Sequence, residues 1–80
     1  MKILVTGGAG FIGRYLAEHL LKNNEITIYD DLSSSTEEKI LPLINKGVKF
    51  VRGDILDFKL LLESSKNFDI IIHLAAKSDV

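Results

Sequence analysis

The chain has 80 residues, 46% hydrophobic and 26% charged, with a formal net charge of −1. That length holds one small domain, which buries only about 60% of the surface its unfolded form exposes, and the composition is neither disordered nor fibrous. The near-neutral charge gives no reason to expect nucleic acid or an anionic membrane as partner, and the absence of cysteine excludes disulfides and thiolate metal sites.

The first predicted element is a strand. Ile3, Leu4 and Val5 form a short apolar run that Gly7 and Gly8 stop abruptly, as expected of a strand buried on both faces of a parallel sheet. Only Met1 and Lys2 precede it, so no signal peptide is expected. No apolar run approaches the length needed to span a bilayer, and the expected setting is cytoplasmic. After Gly13 the spacing becomes helical, with Ile12, Tyr15, Leu16 and Leu20 at steps of three and four. It predicts a helix from Phe11 to Lys22, closed by Asn23 and Asn24 because Asn tolerates the left-handed conformation.

A glycine-rich turn therefore joins a buried strand to a helix. Gly8, Gly10 and Gly13 satisfy the G-x-G-x-x-G pattern of dinucleotide-binding βαβ units. One glycine allows a tight turn, another lets the backbone approach a pyrophosphate, and the third lets the helix pack closely on the strand. The unpaired N–H groups and positive dipole end of the helix then receive the phosphates.

Ile26 to Tyr29 is the second strand, ending at Asp30 and Asp31. These lie about 20 residues beyond the central glycine, the separation expected of a ribose-binding carboxylate. Asp30 can accept hydrogen bonds from both ribose hydroxyls and would repel a 2′-phosphate, which favours NAD over NADP; the plainer role is a helix cap or solvated loop acid.

Residues 32–35 read as a loop, and Ser35 or Thr36 caps a helix with Glu37 and Glu38 in its first turn. Pro42 inside that helix predicts a kink or a split, and Gly47 marks its stop. Val48 to Arg52, alternating apolar and basic, reads as an edge strand with one wet face. Gly53-Asp54 turns the chain, Asp57 caps a helix over 58–66, and Ile70 to Leu74 is the fourth strand. The expectation is an α/β fold: a partial Rossmann-type parallel sheet, order 3-2-1-4, with three helices and right-handed crossovers. Ile70-Ile71-Ile72-His73-Leu74 would then form an exposed edge with no charge or proline to deter pairing, so a homodimer through this edge is expected.

The run TGGAGFIG, at residues 6–13, resembles the extended short-chain dehydrogenase/reductase family, which includes the NAD-dependent nucleotide-sugar epimerases and dehydratases. That family counts its glycines as G-x-x-G-x-x-G, here Gly7, Gly10 and Gly13, and Ala9, Phe11 and Ile12 also fit it. Asp30-Asp31-Leu32-Ser33 is similar to its Asp-Asn-Leu-Ser loop, with Asp in place of Asn at 31. Gly53-Asp54-Ile55 is similar to its turn after the third strand, and His73-Leu74-Ala75-Ala76 to the H-x-A-[AG] signature closing the fourth.

The resemblance implies that residues 1–80 are the N-terminal part of an NAD-binding domain, with the substrate domain absent. It implies as cofactor contacts Gly7, Gly10, Phe11, Ile12, Gly13, Asp30, Asp31, Leu32, Ser33, Asp54, Ile55, Leu74, Ala75 and Ala76. The Asp54 carboxylate would meet the adenine amino group, and the backbone N–H of Ile55 a ring nitrogen. The complete enzyme would move a hydride reversibly between a carbon of a nucleotide-sugar substrate and bound NAD.

No catalytic residue is assigned, because the family's tyrosine base needs a lysine four residues later. Tyr15 is followed at that spacing by His19, and Tyr29 by Ser33. His73 reads as a hydrogen-bonding residue, and with His19 remote on a helix there is no metal-ligand pair. A non-catalytic NAD-binding module, or another NAD(P)-dependent reductase of the extended family, are the alternatives; the acidic pair at 30–31 argues against the latter.

Overall fold

The computed structural model describes residues 1–32, 35–54, 56, 57, 59, 63 and 66–74. Its strands are β1 (Lys2–Thr6), β2 (Glu25–Asp30), β3 (Lys49–Arg52) and β4 (Ile70–His73). Helix α1 (Phe11–Leu20) joins β1 to β2, and α2 (Glu37–Asn45) joins β2 to β3. All three pairings are parallel and the sheet order is β3-β2-β1-β4, the order expected of a Rossmann-type sheet. The described residues form two helices rather than three. The span 58–66 falls largely outside them, although Lys59 and Glu63 within it are helical.

Register divides the sheet into two faces. Ile3 stands opposite Ile26 and Ile70, and Val5 opposite Ile28 and Ile72. These residues share one face with Phe50, which pairs with Ile28. Ala17 of α1, Leu43 of α2 and Val48 pack there with them, so both helices cover the same side. Leu4, Thr27 and Tyr29 are buried on the opposite face. Burial on both faces explains why Ile3–Val5 of β1 reads as a continuous hydrophobic run. The outer strands are wetter: β3 keeps exposed Lys49 and Arg52 at its ends, and β4 leaves Ile70 and Ile71 38% and 50% exposed.

Helix ends follow local chemistry. α1 stops at Leu20, two residues before the expected Lys22. Asn24 donates its side-chain Nδ2 to the Leu20 carbonyl at 2.9 Å. Neither Asn has a positive φ, so a side-chain amide closes the helix rather than a left-handed backbone.

Of the expected kink or split at Pro42, the split is absent: α2 runs unbroken from Glu37 to Asn45. The hydrogen bond that proline removes would have reached the carbonyl of Glu38. Glu38 and Pro42 both lie on the exposed face of α2, while buried Ile40 and Leu43 hold the other face. Thr36 occupies the N-cap position without a side-chain cap bond.

At the C-terminal end Gly47 adopts φ +108°. Its N–H donates to Ile44 at 3.0 Å, and Val48 N–H donates to Leu43 at 3.0 Å. These are the paired bonds of a Schellman stop. The accompanying apolar contact is present too, because Val48 and Leu43 share the core cluster. An exposed 2.7 Å ion pair, Lys46 to Glu18, links α2 to α1; Lys46 holds the Glu18 carboxyl below its usual pKa.

Candidate functional site

The carboxyl ends of β1, β2, β3 and β4 lie along one edge of a parallel sheet, where loops collect and ligands bind in open α/β folds. The turn after β1 begins with Gly7 at φ +73°, a conformation costly for any residue with a Cβ. Gly7 donates its N–H to the carbonyl of Tyr29 at 2.7 Å, which sets the turn against the end of β2.

Gly8 lies flush with the sheet. A Cβ there would stand 2.8 Å from both Ile28 Cγ1 and Cγ2. At Gly13 it would stand 2.4 Å from Gly8 Cα and 2.8 Å from the Gly7 carbonyl oxygen. The close approach at Gly13 is thus of helix to turn, not of helix to strand as expected.

Gly10 differs from these three. Its φ of −71° suits any L-residue, and a Cβ would meet only the Gly7 carbonyl oxygen at an ordinary 3.6 Å. Among the described residues nothing in the packing requires glycine there. Gly10 is also the N-cap of α1, so the first N–H groups of the helix lack intrahelical partners, and the first turn holds no acidic residue.

The end of β2 binds three loops together. Asp30 Oδ2 accepts from Ala9 N at 3.1 Å, and Oδ1 accepts from Leu32 N at 2.7 Å. The Asp30 carbonyl accepts from Gly53 N at 3.0 Å. Leu32 has φ +63°, a left-handed conformation that costs a leucine on the order of 1 kcal/mol. The bond from its N–H to Asp30 helps hold it there.

Tyr29, 1% exposed, donates its hydroxyl to the Asp54 carbonyl at 2.8 Å. Burial, then the carboxylates of Asp57, Asp54 and Asp31, push the Tyr29 phenol up from its ordinary pKa, so it remains a donor at neutral pH. Asp54 Oδ1 accepts from Leu56 N at 2.9 Å, forming a side-chain turn.

At the end of β4, His73 Nδ1 and Thr6 Oγ1 are hydrogen bonded at 2.7 Å, across a register that sets these residues opposite. Leu74 packs against the core cluster and donates its N–H to Thr6 at 2.8 Å. Phe11 and Ile12 stand 80% and 64% exposed beside Gly10. Gly7, Gly10, Gly13, Asp30, Asp31, Leu32, Asp54 and Leu74 thus follow the carboxyl ends of the four strands. Ser33, Ile55, Ala75 and Ala76 lie outside the described residues.

Three contributors had escaped the sequence reading: Ala9 through its backbone N–H, Thr6 through His73, and Tyr29 through Asp54. Only Thr6 carried a usable signal, since parallel alignment of the first and fourth apolar runs sets it opposite His73. Tyr15 and His19 stack on α1 with ring centroids 4.5 Å apart.

A glycine turn, a helix N-terminus and an aspartate at the end of β2 are arranged here as in dinucleotide-binding βαβ units. The model of the NAD-dependent epimerase/dehydratase family matches residues 3–80, and the chain belongs to that family. It is 43% identical over 99% of its length to dTDP-D-glucose 4,6-dehydratase of Dictyostelium discoideum, and 40% identical over 94% to UDP-glucose 4-epimerase of Pasteurella multocida. The chain spans only 20% and 24% of those relatives. Its structure matches dTDP-glucose 4,6-dehydratase from Streptomyces venezuelae, solved with NAD bound, with TM-score 0.85 and 36% identity over 100% of this chain and 28% of that one. UDP-glucuronic acid 4-epimerase from Bacillus cereus in complex with NAD gives 0.83 and 38% over the same shares.

Proposed function

We propose that residues 1–80 form the NAD-binding part of a nucleotide-sugar epimerase or dehydratase. The observation that carries this reading is Gly10: a glycine at a helix N-terminus that packing among the described residues does not need. Gly7, Gly10 and Gly13 with Phe11 and Ile12 would hold the pyrophosphate. Asp30, Asp31, Leu32 and Ser33 would hold the adenosine ribose, and Asp54 and Ile55 the adenine. Leu74, Ala75 and Ala76 would line the path toward the nicotinamide.

Each oxygen of the Asp30 carboxylate already accepts one backbone N–H and keeps a further lone pair for a ribose hydroxyl. Its negative charge disfavours a 2′-phosphate. When bound, NAD supplies a reversible hydride acceptor; the sugar carbon it would act on belongs to a nucleotide-sugar substrate.

Calorimetric titration tests the reading. The protein is expected to bind NAD more tightly than NADP, and Asp30→Ala to weaken NAD by about 1–3 kcal/mol, the scale of hydrogen bonds to a charged group. The variant should also narrow the preference between the two. Tighter binding of NADP by the unaltered protein would overturn the assignment.

Self-association of residues 1–80 by themselves is a separate proposal. β4 is an outer strand with Ile70 and Ile71 exposed, which favours edge pairing of two copies. Light scattering at high concentration is expected to give twice the chain mass; a monomer mass would remove the dimer.

A further inference from the structure

We propose that Tyr29 is a positioning residue for adenine: its hydroxyl, donated to the Asp54 carbonyl, sets where the Asp54 carboxylate stands beside the base. The inference rests on the dinucleotide reading above and deepens one of its subsites.

The bond is 2.8 Å long and joins residues 25 apart in sequence. Its donor sits on an inner strand, with the side chain on the face opposite the two helices and almost wholly buried. A buried phenol on a sheet interior is a fixed point, and Asp54 is exposed on a loop. The loop is built internally by Leu56 N–H on Asp54 Oδ1 and Asp57 N–H on the Asp54 carbonyl, both 2.9 Å. Those bonds shape the turn but do not locate it relative to the sheet.

Two bonds tie the loop to the sheet: Gly53 N–H on the Asp30 carbonyl, and the Tyr29 hydroxyl on the Asp54 carbonyl. One holds the loop at its first residue, and the other at the residue that would face the base. The carbonyl of Tyr29 meanwhile accepts from Gly7. A single residue therefore contacts both the glycine turn and the Asp54 loop, the places proposed above for the pyrophosphate and the adenine.

Tyr29→Phe removes one oxygen and keeps the ring. NAD and its hypoxanthine analogue, which presents a carbonyl where adenine presents an amino group, are titrated against the unaltered protein, Tyr29→Phe, Asp54→Ala and the double variant. The unaltered protein should prefer NAD. Tyr29→Phe should weaken NAD by about 3- to 10-fold, the scale of one neutral hydrogen bond, and the hypoxanthine analogue by less than about 2-fold. The double variant should lose no more of the preference than Asp54→Ala, as expected of residues acting through one contact.

Without dinucleotide, hydrogen exchange at the Leu56 amide should quicken in Tyr29→Phe. A protein that binds neither dinucleotide overturns the parent reading. One that prefers NAD, with Tyr29→Phe unchanged in both preference and Leu56 exchange, overturns this inference alone. Asp54→Ala, altered on an exposed loop, decides the matter even where the Phe variant is unstable: an undiminished preference for NAD in it also overturns the inference.

Discussion

Gly10→Val is expected to reduce NAD affinity by on the order of 100-fold or more, close to 3 kcal/mol, while leaving the fold in place. Residues at this φ of −71° carry side chains without strain, and the single near neighbour of a Cβ is a carbonyl oxygen at 3.6 Å. The unliganded protein should therefore lose only about 1 kcal/mol, the cost of a poor N-cap residue. A pyrophosphate held as proposed, by contrast, would have to come within hydrogen-bonding distance of the N–H groups that begin α1. Two branched methyl groups at Gly10 would occupy that approach. Calorimetric titration beside thermal unfolding separates the two effects. Retained NAD binding would place the phosphates elsewhere, and a cooperative transition lost altogether would make Gly10 a structural glycine after all.

The strand order was legible because strands alternating with helices fit the Rossmann order 3-2-1-4. Ile3–Val5, an apolar run expected to be buried on both faces, is indeed an inner strand. The apolar–basic alternation of β3 marks an edge. The glycine spacing was equally plain, but spacing alone did not divide the labour among the glycines. Gly7 turns, Gly8 and Gly13 avoid collision, and Gly10 leaves room. Those roles depend on what each Cβ would meet, which requires coordinates.

The misjudged helix ends have the same origin. A proline is disruptive in proportion to what its lost partner must do, and both Pro42 and Glu38 lie on the exposed face of α2. Asn24 closes α1 through its amide rather than its backbone, a choice composition does not reveal. The bonds from Asp30 to Ala9 and from Tyr29 to Asp54 cross 21 and 25 residues. Nothing in a one-dimensional pattern ties a tyrosine hydroxyl to a distant carbonyl; the tie appears once parallel register places β2 beside β3.

Gly13→Ala should behave oppositely to Gly10→Val, lowering stability and binding together. Within a helix, alanine is ordinarily better than glycine by about 1 kcal/mol, so intrinsic propensity predicts a gain. Here the added methyl would lie 2.4 Å from Gly8 Cα and 2.8 Å from both the Gly7 carbonyl oxygen and Gly8 C. All three are backbone atoms, and no rotamer change relieves them. α1 would have to back away from the turn, loosening the contact of Ala17 with the core and costing about 1–3 kcal/mol beyond the propensity gain. In a domain of this size each kcal/mol moves the melting temperature by about 4–8 °C, so a net loss near 2 kcal/mol should lower it by roughly 8–16 °C. Displacing α1 also moves its N–H groups from the phosphate position, so NAD affinity should fall with it. A melting temperature equal to or above that of the unaltered protein would show that the turn yields to the methyl, and that helix and turn are not locked as their backbone distances imply.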